Sequence, residues 1–262
     1  MTTVMLETFS EGYAIITLNR PEAKNALSRQ LREEFVDAFD VCHSKADIRA
    51  VILTGSGDSF CAGFDLKEMG QEVNTNTAEE VNNAVAEAMV RFDGTIIGAI
   101  NGHCITGGFE MALACDILVA SESARFADTH ARVGMLPGWG LSQKLPRLIG
   151  LSRAREIAFT GAPIDAQRAY EWGLVNHVLP KGDLLPKCIE IAVNICACDP
   201  HVLARYKNLI ELGYSMPLNQ ALQWEEAQAT EWARRATGDM IEARRASVMA
   251  KARREHADPD AE

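Results

Sequence analysis

The sequence has no excess of basic charge, few aromatic residues and no long hydrophobic run. Lys and Arg number 26 against 36 Asp and Glu, so the net charge is −10, and aromatic residues make up 6%. This balance disfavours a dedicated nucleic-acid binder, because phosphate binding needs a positive surface, although a local basic pocket for an anionic ligand stays open. The most apolar stretch, from Gly94 to Ala120, includes Glu110, Asp116 and five glycines. A membrane span needs about 20 mainly apolar residues, so we expect none.

Secretory and disulfide signals are also missing. The N-terminus shows neither the basic nor the apolar segment of a secretory signal, and we expect a cytoplasmic protein. The seven cysteines are odd in number and lie mostly in apolar runs, which favours buried free thiols in a reducing compartment. One residue separates Cys196 from Cys198, where a redox or zinc motif has two, and we expect no metal site.

What is present is the composition of a globular protein and an alternation of strands and helices. With 262 residues, 47% of them hydrophobic, the chain fits one large domain or one domain with an appendage. Apolar runs bounded by turn residues predict five strands, at 4–9, 13–18, 50–53, 95–101 and 116–120. Helical spacing predicts a helix that begins after Ser28 and two more at 77–90 and 109–115. The pattern predicts an α/β core over residues 1–195.

Residues 196–262 read as a C-terminal helical region. Helical spacing predicts helices at 184–198, 200–212, 218–236 and 239–255. The last of these leaves apolar residues without an obvious local partner, so we expect the region to pack against another subunit; the alternative is that it caps its own core.

Two segments are suited to chemistry. Residues 59–67 follow a buried strand and are rich in small residues, which let a ligand approach backbone N–H groups. Residues 101–110 run from a strand into a helix through Gly107-Gly108, and a helix N-terminus presents free N–H groups that suit a developing oxyanion. Glu110 lies in the first helical turn, where a carboxyl group could transfer a proton. Taken singly, each feature is more often ordinary turn or capping chemistry.

Together the motifs resemble the enoyl-CoA hydratase/isomerase (crotonase) family. The match runs through Asn19–Leu27, Phe60–Met69, Asn101–Met111, Ala114–Ile117 and Pro137–Gly140, in the family's order, and covers about residues 4–200. The resemblance implies a spiral of ββα units followed by helices that form oligomers. It also implies binding of an acyl-CoA thioester and stabilisation of its enolate, with no cofactor besides the coenzyme A of the substrate.

The resemblance also implies roles for particular residues. The backbone N–H groups of Phe64 and Gly107 would form an oxyanion hole, and Glu110 would be the main acid/base. The positions that match the family's coenzyme A groove and its surroundings are Ala23, Lys24, Ala62, Phe64, Asp65, Leu66, Lys67 and Gly107. Arg20, Lys24 and Lys67, with the basic stretch from Arg244 to Arg254, could supply positive charge for the phosphates.

Several positions depart from the family pattern. His130 stands where the hydratases have a second glutamate; it could orient water or move a proton, or only fill the pocket. Asp128 could be a substitute carboxylate, but strand alternation would turn it away from His130. Thr106 and Leu141 replace glycines. Trp139 replaces a small residue, and its ring would reshape the acyl pocket or serve packing alone.

The leading interpretation is an enoyl-CoA hydratase that works as a homotrimer or a dimer of trimers. Another crotonase reaction, by an isomerase, decarboxylase or thioester hydrolase, is the alternative, and isomerisation is less favoured without the second carboxylate. A non-catalytic acyl-CoA-binding or RNA-binding homologue is the alternative from a different class. The acidic balance opposes RNA binding.

Overall fold

The computed structural model describes residues 2–72 and 78–235, and the single positions 237, 238, 241, 242, 245 and 249. The chain falls into two compact units, Met1–Pro200 and His201–Glu262. The division lies a few residues after the boundary expected from the sequence. In the described part no helix is long and apolar enough to cross a membrane.

The first unit holds ten strands and nine of the helices that the structure describes, and the tenth helix begins at its last residue. The strands are β1 (Val4–Thr8), β2 (Tyr13–Leu18), β3 (Ala50–Gly55), β4 (Ser59–Cys61), β5 (Thr95–Ile100), β6 (His103–Ile105), β7 (Ile117–Ser121), β8 (Arg125–Ala127), β9 (Ile164–Asp165) and β10 (His177–Leu179). The helices are α1 (Arg29–Ser44), α2 (Leu66–Glu72), α3 (Ala78–Arg91), α4 (Gly107–Leu113), α5 (His130–Val133), α6 (Leu141–Ile149), α7 (Leu151–Thr160), α8 (Ala166–Glu171), α9 (Lys181–Cys196), α10 (Pro200–Tyr214) and α11 (Leu218–Arg235). A 3₁₀ turn at Pro21–Ala23 precedes α1.

The larger sheet has six strands in the order β1-β2-β3-β5-β7-β10. Only β1 and β2 are antiparallel; the other neighbours in this sheet run parallel. Strand alternation divides the apolar side chains between two faces, so that Ile15 and Ile52 lie on the face opposite Ile16 and Leu53. Helix α9 covers the first face with Leu184, Cys188, Ala192 and Cys196, which recur every fourth residue and are buried.

A second sheet has four strands, in the order β4-β6-β8-β9. In three successive passes the chain contributes a strand to the large sheet, then a strand to the small sheet, and then a helix. These passes are β3-β4-α2, β5-β6-α4 and β7-β8-α5. This is the repeated ββα arrangement that was expected, and the predicted α/β class with a C-terminal helical region is confirmed.

The predicted helix caps and boundaries are mostly close to the observed ones. Ser28 caps α1 by accepting the N–H of Leu31 at 3.2 Å, as expected. Helix α4 begins at Gly107, two residues before the predicted start, and Gly108 packs directly on strand β4. A Cβ at Gly108 would lie 2.2 Å from the carbonyl oxygen of Cys61, so only glycine allows this approach.

All seven cysteines are free thiols, and five of them are buried. Burial raises the pKa of the Cys61 thiol to about 12, so this thiol stays protonated. The buried cysteines therefore act as small apolar core residues.

The second unit contains most of α10 and all of α11. Neither helix contains a buried residue. Of the predicted helix at 239–255, positions 241, 242, 245 and 249 are helical. The rest of that helix, and most of the basic stretch from Arg244 to Arg254, lie outside the described residues.

Candidate active site

The candidate site lies where three neighbouring strands of the small sheet end. Strands β4, β6 and β8 run parallel, so their carboxyl ends meet at one edge of the sheet. The loops that follow carry residues 62–65, 106–107 and 128–130. Ligand sites form in this way at the carboxyl ends of parallel strands, which is why segments far apart in the sequence converge here.

The first loop presents the backbone N–H of Phe64. Leu27 and Phe64 form an isolated parallel bridge. In it the N–H of Leu27 donates to the carbonyl of Gly63 at 2.8 Å, and the N–H of Asp65 donates to the carbonyl of Leu27 at 3.3 Å. Because the groups on either side of Phe64 point toward Leu27, the N–H of Phe64 itself points away from it.

The second loop presents the backbone N–H of Gly107, the first residue of α4. The first intrahelical bond runs from the N–H of Glu110 to the carbonyl of Thr106, at 2.9 Å. The N–H groups before it have no partner within the helix and carry partial positive charge. Gly63 lies against this terminus, since a Cβ on it would be 3.2 Å from the nitrogen of Gly107. The two N–H donors predicted for an oxyanion hole therefore come from touching backbone segments.

Glu110 is buried, with 2% of its surface exposed. Its Oε1 accepts the backbone N–H groups of Trp139 at 2.7 Å and Leu141 at 3.4 Å. Its Oε2 lies 3.6 Å from Nε2 of His130. Burial raises the pKa of Glu110 above its ordinary value and Asp128 adds to this, while the Trp139 N–H, the His130 ring and the Leu141 N–H oppose it. A carboxyl group that takes up a proton more readily than usual suits proton transfer.

His130 and Asp128 lie together, so the expectation that Asp128 faces away from His130 is wrong. Oδ1 of Asp128 lies 2.7 Å from Nδ1 of His130 and also accepts the backbone N–H of His130 at 3.0 Å. The expectation misapplied strand alternation, because residues two apart in a strand share a face. The strand rule does not apply here in any case, since β8 ends at Ala127 and His130 already begins α5.

Glu110 and His130 line a cavity of about 210 Å³. Of the predicted residues, Ala62, Phe64, Leu66, Glu110 and His130 line it. Residues to which the sequence assigned no role also line it: Met69, Asn83, Thr129, Val133, Met135, Leu136 and Gly138. Of these, Met69 and Gly138 lie in the motifs that carried the resemblance, and Val133, Met135 and Leu136 follow His130 closely along the chain.

Ala23, Lys24, Asp65, Lys67 and Gly107 do not line this cavity among the described residues, but they adjoin it. The N–H of Ala62 donates to the carbonyl of Lys24 at 3.0 Å, which joins the two segments. The side chains of Lys24 and Lys67 are exposed.

Arg20 and Asp65 form an ion pair, with Nη1 and Oδ2 2.7 Å apart. Asp65 also begins α2 by accepting the N–H of Lys67 at 3.1 Å. Burial pushes the pKa of Asp65 up, but the hydrogen bonds from Arg20, Lys67 and Glu68 outweigh it, and the pKa lies below its ordinary value. Arg20 therefore serves the loop's structure, in contrast to the expectation of an available charge.

The other three departures from the family pattern, at Thr106, Trp139 and Leu141, each have a structural role. Thr106 has φ of 51°, and its Oγ1 accepts the N–H of Thr129 at 3.0 Å. The Trp139 ring lines the cavity and lies 5.1 Å from the Phe64 ring, centroid to centroid, so it both shapes the pocket and packs. The side chain of Leu141 is buried in the core.

The described residues offer no cluster of three or more His, Cys, Asp or Glu that could hold a metal ion. In particular, Asp128 and Glu110 approach opposite nitrogens of His130, so the three side chains do not converge on one point.

A buried carboxyl group beside two backbone donors at a sheet edge is the arrangement of an enzyme that stabilises an oxyanion. The chain belongs to the enoyl-CoA hydratase/isomerase family, whose model matches residues 8–242. The match extends beyond the part in which the sequence motifs were recognised. The predictions of this family and of an enzyme are confirmed.

Similar proteins carry hydratase names. The probable peroxisomal enoyl-CoA hydratase 1 of Arabidopsis thaliana is 44% identical over 220 residues, which is 84% of this chain and 83% of that protein. The short-chain-enoyl-CoA hydratase of Clostridium acetobutylicum is 36% identical, covering 81% of this chain and 82% of its own. The crystal structure of enoyl-CoA hydratase from Bacillus anthracis matches with a TM-score of 0.83 at 37% identity, covering 93% and 95% of the two chains.

Proposed function

We propose that this protein is an enoyl-CoA hydratase, which adds water across the C2=C3 double bond of a 2-enoyl-CoA thioester. The observation that carries the proposal is the buried Glu110 in one cavity with His130, next to the backbone donors of Phe64 and Gly107. Hydration needs both parts: donors for the thioester oxygen and a group that moves protons beside C2 and C3.

The thioester oxygen would lie between the N–H groups of Phe64 and Gly107. As water adds to C3, negative charge develops on this oxygen, and fixed donors stabilise it without reorganisation. The loss of one such donor raises a barrier by about 2.7–4 kcal/mol in enzymes of this kind. The left-handed Gly63, with φ of 87°, holds the two donor segments at this close distance.

Glu110 would be the main acid/base, with His130 assisting. Since Oε2 and Nε2 are 3.6 Å apart, one water molecule can contact both atoms. The water oxygen bonds to C3, the π electrons move to the thioester oxygen, and the water's proton passes to the Glu110–His130 pair. The pair then delivers a proton to C2 as the carbonyl re-forms, so one water is consumed and both side chains are restored.

Coenzyme A would bind along the segments that adjoin the cavity. The proposed contacts are Ala23, Lys24, Ala62, Phe64, Asp65, Leu66, Lys67 and Gly107. Lys24 and Lys67 are exposed and would meet phosphate groups, whereas Arg20 is engaged by Asp65. The reaction needs no resident cofactor, since coenzyme A arrives as part of the substrate.

The chain would work as a homotrimer or a dimer of trimers in the cytoplasm. Apolar side chains of α10 and α11 support self-association: Tyr206, Ile210 and Leu222 are 60%, 61% and 56% exposed. Light scattering would measure the mass, and a monomer of 28.7 kDa would contradict this part of the proposal. The relative named as peroxisomal makes cell fractionation the test of location.

The reaction is tested with a panel of 2-enoyl-, 3-hydroxyacyl- and malonyl-CoA thioesters. We expect hydration of 2-enoyl-CoA by the wild type, and a fall in kcat of about 10²–10⁴-fold in Glu110→Gln, the usual contribution of a general acid/base. Glu122→Gln, at an exposed site, is the matched control and should keep full activity.

Three results would overturn parts of this proposal. Turnover of none of the thioesters would exclude an enzyme acting on them and favour an acyl-CoA-binding protein. Conversion of malonyl-CoA alone would favour a decarboxylase. Full hydratase activity in Glu110→Gln would exclude the role of Glu110.

A further inference from the structure

Asp128 and His130 form a buried pair beside the reaction centre. They are 3% and 8% exposed, and Oδ1 of Asp128 accepts the backbone N–H of His130 and lies 2.7 Å from Nδ1 of its ring. The two contacts tie the ring and the backbone of His130 to one oxygen. Its other nitrogen, Nε2, faces the cavity and Glu110.

A carboxylate can only accept a hydrogen bond, so it selects the form of the imidazole that carries its proton on Nδ1. In the neutral ring the lone pair then lies on Nε2, the atom 3.6 Å from Oε2 of Glu110. With the proton on Nε2 instead, the ring would offer no lone pair to water and could not act as a base.

We propose that Asp128 is a positioning residue, which holds His130 in the Nδ1–H form so that Nε2 accepts the proton of the attacking water. The inference rests on the proposed hydratase function and divides the work within its acid/base pair. His130 is the base, and Glu110 is the acid that protonates C2.

The proton balance of this division closes. The water proton moves to Nε2 as the oxygen bonds to C3, and the π electrons move to the thioester oxygen. Glu110 then gives its Oε2 proton to C2 as the carbonyl re-forms. Finally the proton on Nε2 returns to Glu110, and the imidazole and the carboxyl group regain their starting states.

Asp128 favours both charge states that the division requires. Its carboxylate stabilises the imidazolium that forms when Nε2 takes up a proton, because the two groups are 2.7 Å apart. Burial is the main cause of the raised pKa of Glu110, and the charge of Asp128 raises this pKa further, which favours the protonated acid.

The test combines the ring tautomer with kinetics. In ¹⁵N-histidine-labelled protein, the ¹⁵N shifts of His130 distinguish Nδ1–H from Nε2–H, and His130→Gln identifies its signals among the six histidines. We expect Nδ1–H in the wild type. Asp128→Asn preserves shape but can donate to Nδ1, so the Nε2–H form should gain population.

The kinetic expectation is a change in kcat and not in KM. Asp128→Asn should lower kcat on 2-enoyl-CoA by about 10- to 100-fold, less than the 10²–10⁴-fold that a general base supplies. KM should stay within about twofold, since Asp128 contacts His130 and not the thioester in this arrangement. Asp93→Asn, an exposed aspartate on another loop, is the matched control.

Each outcome decides the proposal. A wild-type Nε2–H tautomer overturns it without any variant, and so does unchanged kcat in a folded Asp128→Asn protein. A fall in kcat with an altered tautomer supports it. A wild type that hydrates no enoyl-CoA overturns the hydratase function instead, and the tautomer of His130 then still tests whether Asp128 positions the ring.

Discussion

The backbone N–H of Trp139 donates a 2.7 Å hydrogen bond to Oε1 of Glu110. The bond fixes one carboxyl oxygen and leaves Oε2 to face His130. Because the ring of Trp139 also packs against Phe64, the same residue links the proton-transfer group to the oxyanion loop. Its side chain and its backbone can be tested separately, since a substitution changes only the ring.

Trp139→Leu should change the acyl preference while leaving Glu110 in place. The smaller side chain enlarges the cavity, so the ratio of kcat/KM for bulky to short 2-enoyl-CoA substrates should rise. Rates across a series of acyl groups measure this. Trp172→Leu is the control, because Trp172 stacks with Arg153 and Arg168 and does not line the cavity among the described residues. If this kcat/KM ratio does not change in Trp139→Leu, the Trp139 ring only packs and does not select the acyl group.

Glu110→Gln should stabilise the protein at neutral pH. The folded state raises the pKa of Glu110, chiefly through burial, so folding binds its proton more tightly than the unfolded chain does. The resulting stability is present below the ordinary carboxyl pKa and is lost as pH rises through the raised one. Glutamine removes that loss.

Melting temperatures from about pH 4 to about pH 8 check this expectation, since 1 kcal/mol shifts the Tm of a protein of this size by about 2–4 °C. The difference in Tm between Glu110→Gln and the wild type should grow with pH and then level off. For the exposed Glu122→Gln it should stay flat. A constant difference for Glu110→Gln would show that burial does not hold its proton.

Gly63→Ala should reduce activity more than its effect on stability explains. Gly63 has φ of 87°, and a Cβ there would lie 3.0 Å from the Ile105 carbonyl oxygen and 3.2 Å from the Gly107 nitrogen. The backbone must shift, and the two oxyanion donors shift with it. Losing one donor reduces kcat by about 10²–10³-fold, which sets the upper range of the effect.

Gly173→Ala is the matched control for backbone strain, because Gly173 has φ of 78° and open space around a Cβ. The left-handed backbone should make Gly173→Ala less stable by about 1–2 kcal/mol, and Gly63→Ala by at least as much, since its Cβ also meets backbone atoms. Only Gly63→Ala should lower kcat/KM, and equal activities of the two variants would contradict the donor geometry.

Thr106→Ala should be less stable than Thr106→Ser by about 1 kcal/mol, the net value of a hydrogen bond. Both variants keep a Cβ at the positive φ of 51°, so the backbone strain is the same. Only serine keeps a hydroxyl that accepts the N–H of Thr129 and pairs with its Oγ1, 2.5 Å away in the wild type. Urea denaturation measures the difference; equal stability would mean that these bonds contribute nothing net.

Asn25→Asp should lower the free energy of unfolding by about 3–5 kcal/mol, the range for an uncompensated buried charge. The side chain of Asn25 is fully buried, and its Nδ2 donates to the carbonyls of Ser56 at 3.0 Å and Ser59 at 2.7 Å. In the Asn25→Asp variant the oxygen that replaces Nδ2 would face these two carbonyl oxygens without a donor, while the other oxygen keeps the N–H of Arg20, 2.8 Å away in the wild type. Asn208→Asp, at an exposed position, should change the stability little. A loss in Asn25→Asp as small as in the control would contradict the assigned contacts.

Much of the fold and part of the site followed from local sequence. Apolar runs predicted the buried strands of the large sheet, because a strand covered on both faces has no polar alternation. The motif resemblance indicated Phe64, Gly107 and Glu110, and the structure places the first two on touching segments and the third beside them. The roles of these residues stay predictions until they are tested.

One expectation was wrong because strand alternation was misapplied. Asp128 was expected to face away from His130, although residues two apart in a strand share a face, and β8 in fact ends at Ala127. The expectation that Arg20 is an available charge near the ligand was also wrong, because Arg20 pairs with Asp65, 45 residues away in the sequence. Contacts between distant segments leave no periodic signal in either segment.

The sequence by itself determined the family, the α/β class and the chemical types available to the site, because these depend on side-chain identity and on short-range periodicity. The tertiary structure alone decided which groups meet. The parallel order of β4, β6 and β8 brings three loops to one edge, and the loop before α6 supplies the N–H groups that hold Glu110. Distances of a few ångströms between such segments decide which group can give or take a proton, and they exist only once the chain is packed.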